Sequence, residues 1–296
     1  MNKGLWYAVG AYVLWGLLPL YWKALQAVPA IQIVGHRMVW SLFFVGVLFL
    51  FRQQWNEFFE ALKHKKIVLI YFVAGAILFL NWFTYVWAVN AGYVVETALG
   101  YYINPLVYVL LGVLFLHERL RLWQWVAVSV ATAGVLFLTF VYGSLPWIAL
   151  ALAFSFGFYG LVKKTAPLKA VDGLFLETAL LFLPALMFLL SQERNGEGAF
   201  GHTGFSITLL LIFTGVVTGL PLLLFSAAAQ RIPLTTIGIL QYLAPTLQFL
   251  LGVFLYGEVF DQARLFGFSL IWLALIIYSI ENIVARRRAN ALQYAN

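Results

Sequence analysis

Residues Glu96–Leu120 read ETALGYYINPLVYVLLGVLFLHERL, and the pattern returns 140 positions later in Thr236–Phe260, TIGILQYLAPTLQFLLGVFLYGEVF. The two stretches align without a gap and share residues of very different chemistry. The matched pairs include Tyr102 and Tyr242, Pro105 and Pro245, Gly112 and Gly252, and Glu118 and Glu258. An apolar bias alone does not readily place a proline, a glycine and a glutamate in one register. The chain is therefore predicted to contain an internal duplication.

The rest of the chain is equally apolar. It is 64% hydrophobic and only 10% charged, which is too little charge for a soluble surface. A helix needs about 20 apolar residues to cross a bilayer, and such segments recur along the whole sequence. We predict an all-α integral membrane protein with ten transmembrane helices, at residues 4–22, 30–51, 67–89, 94–116, 122–141, 145–162, 172–191, 205–229, 234–256 and 265–283.

The basic residues predict the orientation. Of the 18 Lys and Arg residues, fourteen fall at span ends on one side and three on the other, while Arg37 lies within a span. Because cytoplasmic loops are enriched in Lys and Arg, both termini are predicted to be cytoplasmic, including a basic tail at 284–296. The net charge of +7 is then a topology signal, and no nucleic-acid partner is expected.

The ten spans divide into two repeats of five, residues 4–141 and 145–283. An odd number of spans per repeat turns the second copy upside down in the membrane. Inverted repeats are typical of transporters, since two equivalent halves can expose a site at the membrane midplane to either side in turn. The sequence therefore favours a transporter of two inverted five-helix repeats.

Several stretches resemble a known family. They are AYVLWGLLPLYWKAL (Ala11–Leu25), GHRMVWSLFF (Gly35–Phe44), NWFTYVWAVN (Asn81–Asn90), LGYYINPLV (Leu99–Val107) and GSLPWIALALAFSFGFYGLVKK (Gly143–Lys164). Together with the two five-helix units, they resemble the EamA repeats of the drug/metabolite transporter superfamily, and its RarD branch in particular.

The resemblance implies a multi-pass protein of the bacterial inner (plasma) membrane with a substrate cavity between its halves. That cavity is implied to be lined by the first, third, fourth, sixth, eighth and ninth spans. RarD-branch members are often labelled chloramphenicol-sensitivity or resistance permeases, which implies a chloramphenicol-type solute as one option.

The repeated prolines indicate a candidate site. Pro105 and Pro245 lie near the middle of the fourth and ninth spans, and each frees the carbonyl four residues earlier. In a membrane those carbonyls need protein or water nearby. Polar side chains surround both positions and suit an uncharged or zwitterionic solute; they are Tyr101, Tyr102, Asn104, Gln241, Tyr242 and Thr246. The alternative is that the kinks only shape the bundle.

The third span offers a second group of candidates. Asn81 and Tyr85 share a helix face with Trp82 beside them, which could stack an aromatic or cationic ligand. Packing or an interfacial position, common for Trp and Tyr, is the alternative for these residues.

Charged residues inside spans are the electrostatic candidates. Arg37 and Glu177 stand at equivalent positions of the two repeats, where a charge is expected to be paired or functional. They either form an ion pair or flank the substrate path, unless both reach toward the headgroups. His36 and Glu96 are further candidates for proton coupling; first-turn capping is the alternative for Glu96.

These observations favour a permease that moves a small amphipathic metabolite or drug-like solute by alternating access, in the direction of export. A lipid-handling or scrambling protein is the main alternative. A membrane-embedded enzyme is less favoured, because the chain has no cysteine and its four histidines lack the spacing of metal sites. No cofactor or metal is expected, and a homodimer is left open.

Overall fold

The computed structural model describes residues 3–51, 55–91, 93–143, 147–255 and 262–294, and all regular structure in these ranges is helical. Ten segments are long and apolar enough to span a membrane, which confirms the predicted class. The helices are α1 (Lys3–Ala24), α2 (Ala30–Phe51), α3 (Trp55–Leu62), α4 (Lys65–Asn90), α5 (Val94–Leu116), α6 (Leu122–Tyr142), α7 (Trp147–Thr165), α8 (Ala170–Arg194), α9 (Phe205–Ala229), α10 (Leu234–Gln241), α11 (Leu243–Leu250) and α12 (Gln262–Tyr294).

Nine of these helices each match one predicted span, and α3 is a short additional helix between the second and third spans. The ninth span consists of α10, α11 and a π-helical turn over Leu251–Leu255. The last helix extends beyond the prediction, since α12 continues to Tyr294. The predicted basic tail at 284–296 therefore begins as a continuation of this helix.

The ends of the spans form two faces of the bundle, because successive spans cross it in opposite directions. The N-terminal face carries the start of α1 and the connections α2–α4, α5–α6, α7–α8 and α9–α10. The distal face carries the connections α1–α2, α4–α5, α6–α7 and α8–α9.

The two repeats interlock. Helix α1 packs on α9 and α11, α2 on α8 and α9, α4 on α7 and α8, and α5 on α7 and α10. Equivalent helices also meet in pairs, as α6 does with α12. The Tyr242 hydroxyl donates a hydrogen bond to the carbonyl of Tyr102, its own equivalent, at 3.2 Å. The core of the protein is therefore an interface between the two halves.

The repeated prolines have different local consequences. Helix α5 continues through Pro105, whereas the ninth span changes helix at Tyr242, three residues before Pro245. Gly238 permits the close crossing of these two spans, since a Cβ there would lie 2.5 Å from the carbonyl oxygen of Pro105. The duplicated stretches therefore cross each other near the middle of the bundle.

One contact explains why a glycine and a glutamate stand together in the first copy of the duplicated pattern. The Glu118 carboxylate accepts hydrogen bonds from the backbone N–H groups of Leu234 (2.7 Å) and Thr235 (2.9 Å), so it caps the start of α10. A Cβ on Gly112 would lie 2.9 Å from this carboxylate, and glycine leaves the room that it needs. Glu258, the equivalent of Glu118 in the second repeat, lies outside the described residues.

Replacing Glu118 by alanine is expected to lower the free energy of unfolding by about 1–2 kcal/mol, because two N–H groups at a helix start lose their acceptor. Unfolding of the purified protein by SDS in mixed micelles measures this loss. Glu60→Ala is the control, since Glu60 is exposed and its partner among the described residues is Lys63. Equal stability of the two variants would contradict the capping role.

Candidate functional site

A cavity of about 210 Å³ lies between the repeats. Its lining comes from α1, α2, α4, α5, α7, α9, α10 and α11. Gln241, Pro245 and Asn104 border it near the middle of the bundle, while Trp22 and Arg37 border it near the distal ends of α1 and α2. The cavity therefore extends from the middle of the bundle toward the distal face.

Six of the nine predicted binding residues line this cavity. Tyr101 and Asn104 come from α5, and Gln241 ends α10, with Pro245 beside it. The third span contributes all three of its candidates, Asn81, Trp82 and Tyr85.

The other three predicted residues lie at the contact with α12. The Tyr102 ring packs edge-to-face on Phe268 at 5.2 Å, and the Thr246 hydroxyl accepts a hydrogen bond from the Trp272 indole at 3.1 Å. Tyr242 is fully buried. Tyr102 faces α12, although Tyr101 beside it lines the cavity. These three, and Pro105, do not line it.

Two asparagines of the lining also bind helices together. Asn81 Nδ2 donates to the carbonyl of Leu152 (2.9 Å) and to the Ser155 hydroxyl (2.8 Å). Asn104 Nδ2 donates to the carbonyl of Ala153 at 3.1 Å. Both amides thus anchor their helices to α7, and their orientation at the cavity wall is fixed.

Arg37 reaches the cavity from α2. Its Nε donates to the Thr218 hydroxyl at 2.9 Å. Its guanidinium lies over the rings of Trp22 (5.0 Å) and Trp82 (4.4 Å), as in a cation–π contact. Arg37 is therefore held in place by a hydroxyl and two indoles.

Glu177 has a different partner from the one predicted. Its carboxylate lies 2.8 Å from Lys163 Nζ and accepts a hydrogen bond from the Tyr159 hydroxyl at 3.1 Å. Glu177 and Lys163 are each about 1% exposed. The direct Arg37–Glu177 ion pair is wrong for this conformation, and neither Glu177 nor Lys163 reaches the headgroups.

The other coupling candidates are not at the cavity. His36 is 6% exposed, and its ring stacks on Phe200 at 5.3 Å. It does not line the cavity. The side chain of Glu96 lies outside the described part of the chain.

Between the cavity and the N-terminal face, packing and hydrogen bonds close the bundle. Trp15 packs on Phe156 and Phe225, with ring centroids 5.7 Å apart in both pairs. Nearer the surface, Lys164 Nζ donates to the carbonyl of Ile232 at 2.6 Å, and Gln230 Nε2 donates to that of Leu168 at 2.8 Å. These contacts join α7 and the α7–α8 connection to the α9–α10 connection.

The family resemblance implied that the first span lines the cavity, but none of its residues was predicted to bind. Helix α1 contributes Tyr12, Trp15, Pro19 and Trp22, which follow helical spacing along one face. The signal was weak because α1 is apolar all round. Gln248, two turns after Gln241, was detectable from its spacing and also lines the cavity.

The ten-span fold and its cavity define a multi-pass membrane protein with an internal site. The chain belongs to the EamA-like transporter family, which matches residues 2–140 and 145–280. The two matches agree with the duplication inferred from the 140-residue offset. Within the family, its relatives place it in the RarD branch.

Relatives cover nearly the whole chain. "Uncharacterized transporter YojE" of Bacillus subtilis is 46% identical over 98% of both chains. "Protein RarD" of Streptomyces exfoliatus is 46% identical over 98% of this chain and 92% of its own. "Chloramphenicol-sensitive protein RarD" of Pseudomonas aeruginosa is 30% identical over 93% of both.

A crystal structure with 19% sequence identity superposes with a TM-score of 0.70. It covers 94% of this chain and 97% of its own. This likeness supports the fold alone.

Proposed function

We propose that the protein carries a small amphipathic solute across the bacterial inner membrane by alternating access, with both termini in the cytoplasm. The observation that carries the proposal is the cavity between the two repeats, which combines aromatic walls with amide tips and one guanidinium. Sites for small molecules have this character, apolar with a few placed polar groups.

Interlocked repeats support the mechanism. The main interfaces join one repeat to the other, so rocking one against the other would open or close a path on either side of the cavity. We take the second repeat as an inverted copy, in agreement with its five spans. The contacts that close the N-terminal face would then have to separate for the cavity to open there.

Export is the direction of transport that we propose. With the N-terminal face in the cytoplasm, the cavity opens toward the outside, and a solute on its way out would be released from this state.

Uptake into liposomes containing the purified protein tests the function. The probes are labelled chloramphenicol, phenylalanine and phenylalaninamide, each measured with and without a pH gradient. Trp82→Ala is expected to lower the rate of the transported probe about 10-fold, which corresponds to about 1.4 kcal/mol, because the cavity loses its indole wall.

Trp123→Ala is the matched control, since Trp123 is exposed on α6 outside the cavity. Flux of every probe no faster than through empty liposomes would overturn the function. A gradient that accelerates flux would indicate proton coupling, and equal rates would indicate uncoupled exchange.

A further inference from the structure

We propose that the solute carries a carboxylate, which binds the Arg37 guanidinium, together with a hydrogen-bond donor that binds buried acceptors around Asn104. This inference rests on the transport function proposed above and specifies the chemical class of its solute. It is argued from the charges and the unpartnered polar atoms of the cavity.

The first observation is the charge of Arg37. A guanidinium is not deprotonated in proteins, yet its hydrogen-bonding partner is the uncharged Thr218 hydroxyl. Among the described residues no carboxylate is paired with Arg37, and none lines the cavity. A cation inside a membrane protein without a counter-ion is costly, so an anionic solute would bind there favourably.

The duplication strengthens this point. The equivalent of Arg37 in the second repeat is Glu177, whose charge is balanced by Lys163. By the same offset of 140 residues, the equivalent of Lys163 is Lys23, which is a second cation. The duplication therefore places a second cation, not a counter-ion for Arg37, at the position that balances Glu177, and a bound carboxylate could balance Arg37.

The second observation is a set of buried acceptors. Tyr12 Oη, Asn104 Oδ1 and Gln241 Oε1 have no hydrogen-bond partner among the described residues, and all three residues line the cavity. Each of these residues is at most 5% exposed. The oxygen and the nitrogen of the Asn104 amide can be told apart, because the nitrogen donates a hydrogen bond to a carbonyl. Buried polar atoms without partners are costly. Neighbouring atoms cover these three oxygens, so an ammonium, amine or hydroxyl group of the solute would reach them after the Tyr12 or Gln241 side chain turns toward the cavity.

The two groups of binding atoms lie at different depths. Arg37 borders the cavity from the distal half of α2, and Tyr101 lines it from the distal half of α5. Asn104 follows Tyr101 by one turn of α5, about 4.5 Å along the axis. The carboxylate would thus lie on the distal side and the donor group nearer the middle of the bundle.

Aromatic side chains line the space between these groups, and the volume limits the solute. Trp15, Trp82 and Phe156 line the cavity, which favours a flat apolar body. About 210 Å³ is below the usual range for drug-sized ligands. The Trp82 ring is already covered by Arg37, which disfavours the cationic ligand considered for the third span.

Thermal unfolding of the detergent-solubilised full chain tests the class. One pool contains aromatic amino acids and arylalkanoic acids, and the other contains their primary amides. The acid pool is expected to raise the melting temperature, since binding to the folded form stabilises it, and the amide pool is expected to leave it unchanged. Equal shifts with both pools, or no shift with either, would overturn the proposal.

Arg37→Gln is expected to weaken binding of the strongest acid at least about 30-fold, as for loss of one partner of a buried charge pair. Thr218→Asp is a second variant, because it gives Arg37 an internal carboxylate and should abolish acid binding in a folded protein. Arg231→Gln is the control, since Arg231 lies outside the cavity over Tyr7. Retained acid binding in folded Thr218→Asp would also overturn the proposal.

The transport function and the carboxylate requirement can be disproved separately. If phenylalanine and phenylalaninamide cross proteoliposomes equally fast, the transport function stands and the carboxylate requirement falls. If acids bind through Arg37 but no probe crosses, the anion site stands and the transport function falls.

Discussion

Replacing Lys163 by methionine is expected to lower the free energy of unfolding by about 3–5 kcal/mol, the usual cost of leaving one member of a buried ion pair behind. Lys163 Nζ lies 2.8 Å from the Glu177 carboxylate, and both side chains are almost fully buried. Without the ammonium, Glu177 must either stay charged without its counter-ion or take up a proton. SDS titration in mixed micelles measures the loss.

The variant Lys163→Met with Glu177→Gln separates pairing from packing. In the wild type the Tyr159 hydroxyl donates a hydrogen bond to Glu177, and a glutamine at this position keeps an acceptor for it. The double variant has no buried charge at this position. It is expected to recover most of the stability. Because removal of either partner alone costs about 3–5 kcal/mol, the double-mutant cycle should give a coupling energy of at least about 3 kcal/mol. Additive losses would contradict the pairing.

An exposed pair supplies the control for this cycle. Lys63 and Glu60 lie 2.5 Å apart, but both side chains are 67% exposed. Exposed pairs contribute about 0–1 kcal/mol, so Lys63→Met should stay within that range. A similar loss for Lys63→Met and Lys163→Met would show that burial is not the cause.

The sequence predicted the spans well because their signal is local. Length and apolar character fix the number of crossings, and apart from α12 the span boundaries agree within three residues. The polar positions of the duplicated stretch also indicated the cavity, since polar groups in a membrane must face protein or water.

The sequence did not predict how each helix is rotated about its axis, and so which of its side chains face the cavity. Tyr101 faces the cavity while Tyr102 packs on Phe268, and an all-round apolar helix gives no periodicity to tell the two apart. The ion-pair partner of Glu177 was also predicted wrongly, because the 140-residue offset makes Arg37 its equivalent in the first repeat. The nearer partner was Lys163, on the preceding helix of the same hairpin.

Replacing Gly215 by alanine is the second prediction with a large effect, expected to lower the free energy of unfolding by about 2–3 kcal/mol. A Cβ at Gly215 would lie 2.3 Å from the carbonyl oxygen and 2.4 Å from the carbonyl carbon of Trp40. Backbone atoms cannot rotate away as a side chain can, so α2 and α9 must move apart. Overpacking of this kind typically costs about 1–3 kcal/mol, and the backbone contact places Gly215 at the upper end.

The duplication offers a matched control in Gly75, the equivalent of Gly215 in the first repeat. A Cβ there would have its nearest neighbour at 3.6 Å, an ordinary contact. Gly75→Ala is therefore expected to be neutral, or stabilising by up to about 1 kcal/mol through helix propensity. Equal losses for the two variants would contradict the close-contact explanation.

The Gly215 contact should also affect the cavity. Thr218 follows Gly215 by three residues on α9, and Arg37 precedes Trp40 by three residues on α2, so their 2.9 Å hydrogen bond lies about one turn from the close contact. Separating the helices would lengthen this bond and release the guanidinium from its fixed position. Gly215→Ala is thus expected to weaken binding of the acid pool, whereas Gly75→Ala should leave it unchanged. Wild-type acid binding in Gly215→Ala would show that Arg37 is positioned without the close approach of α2 and α9.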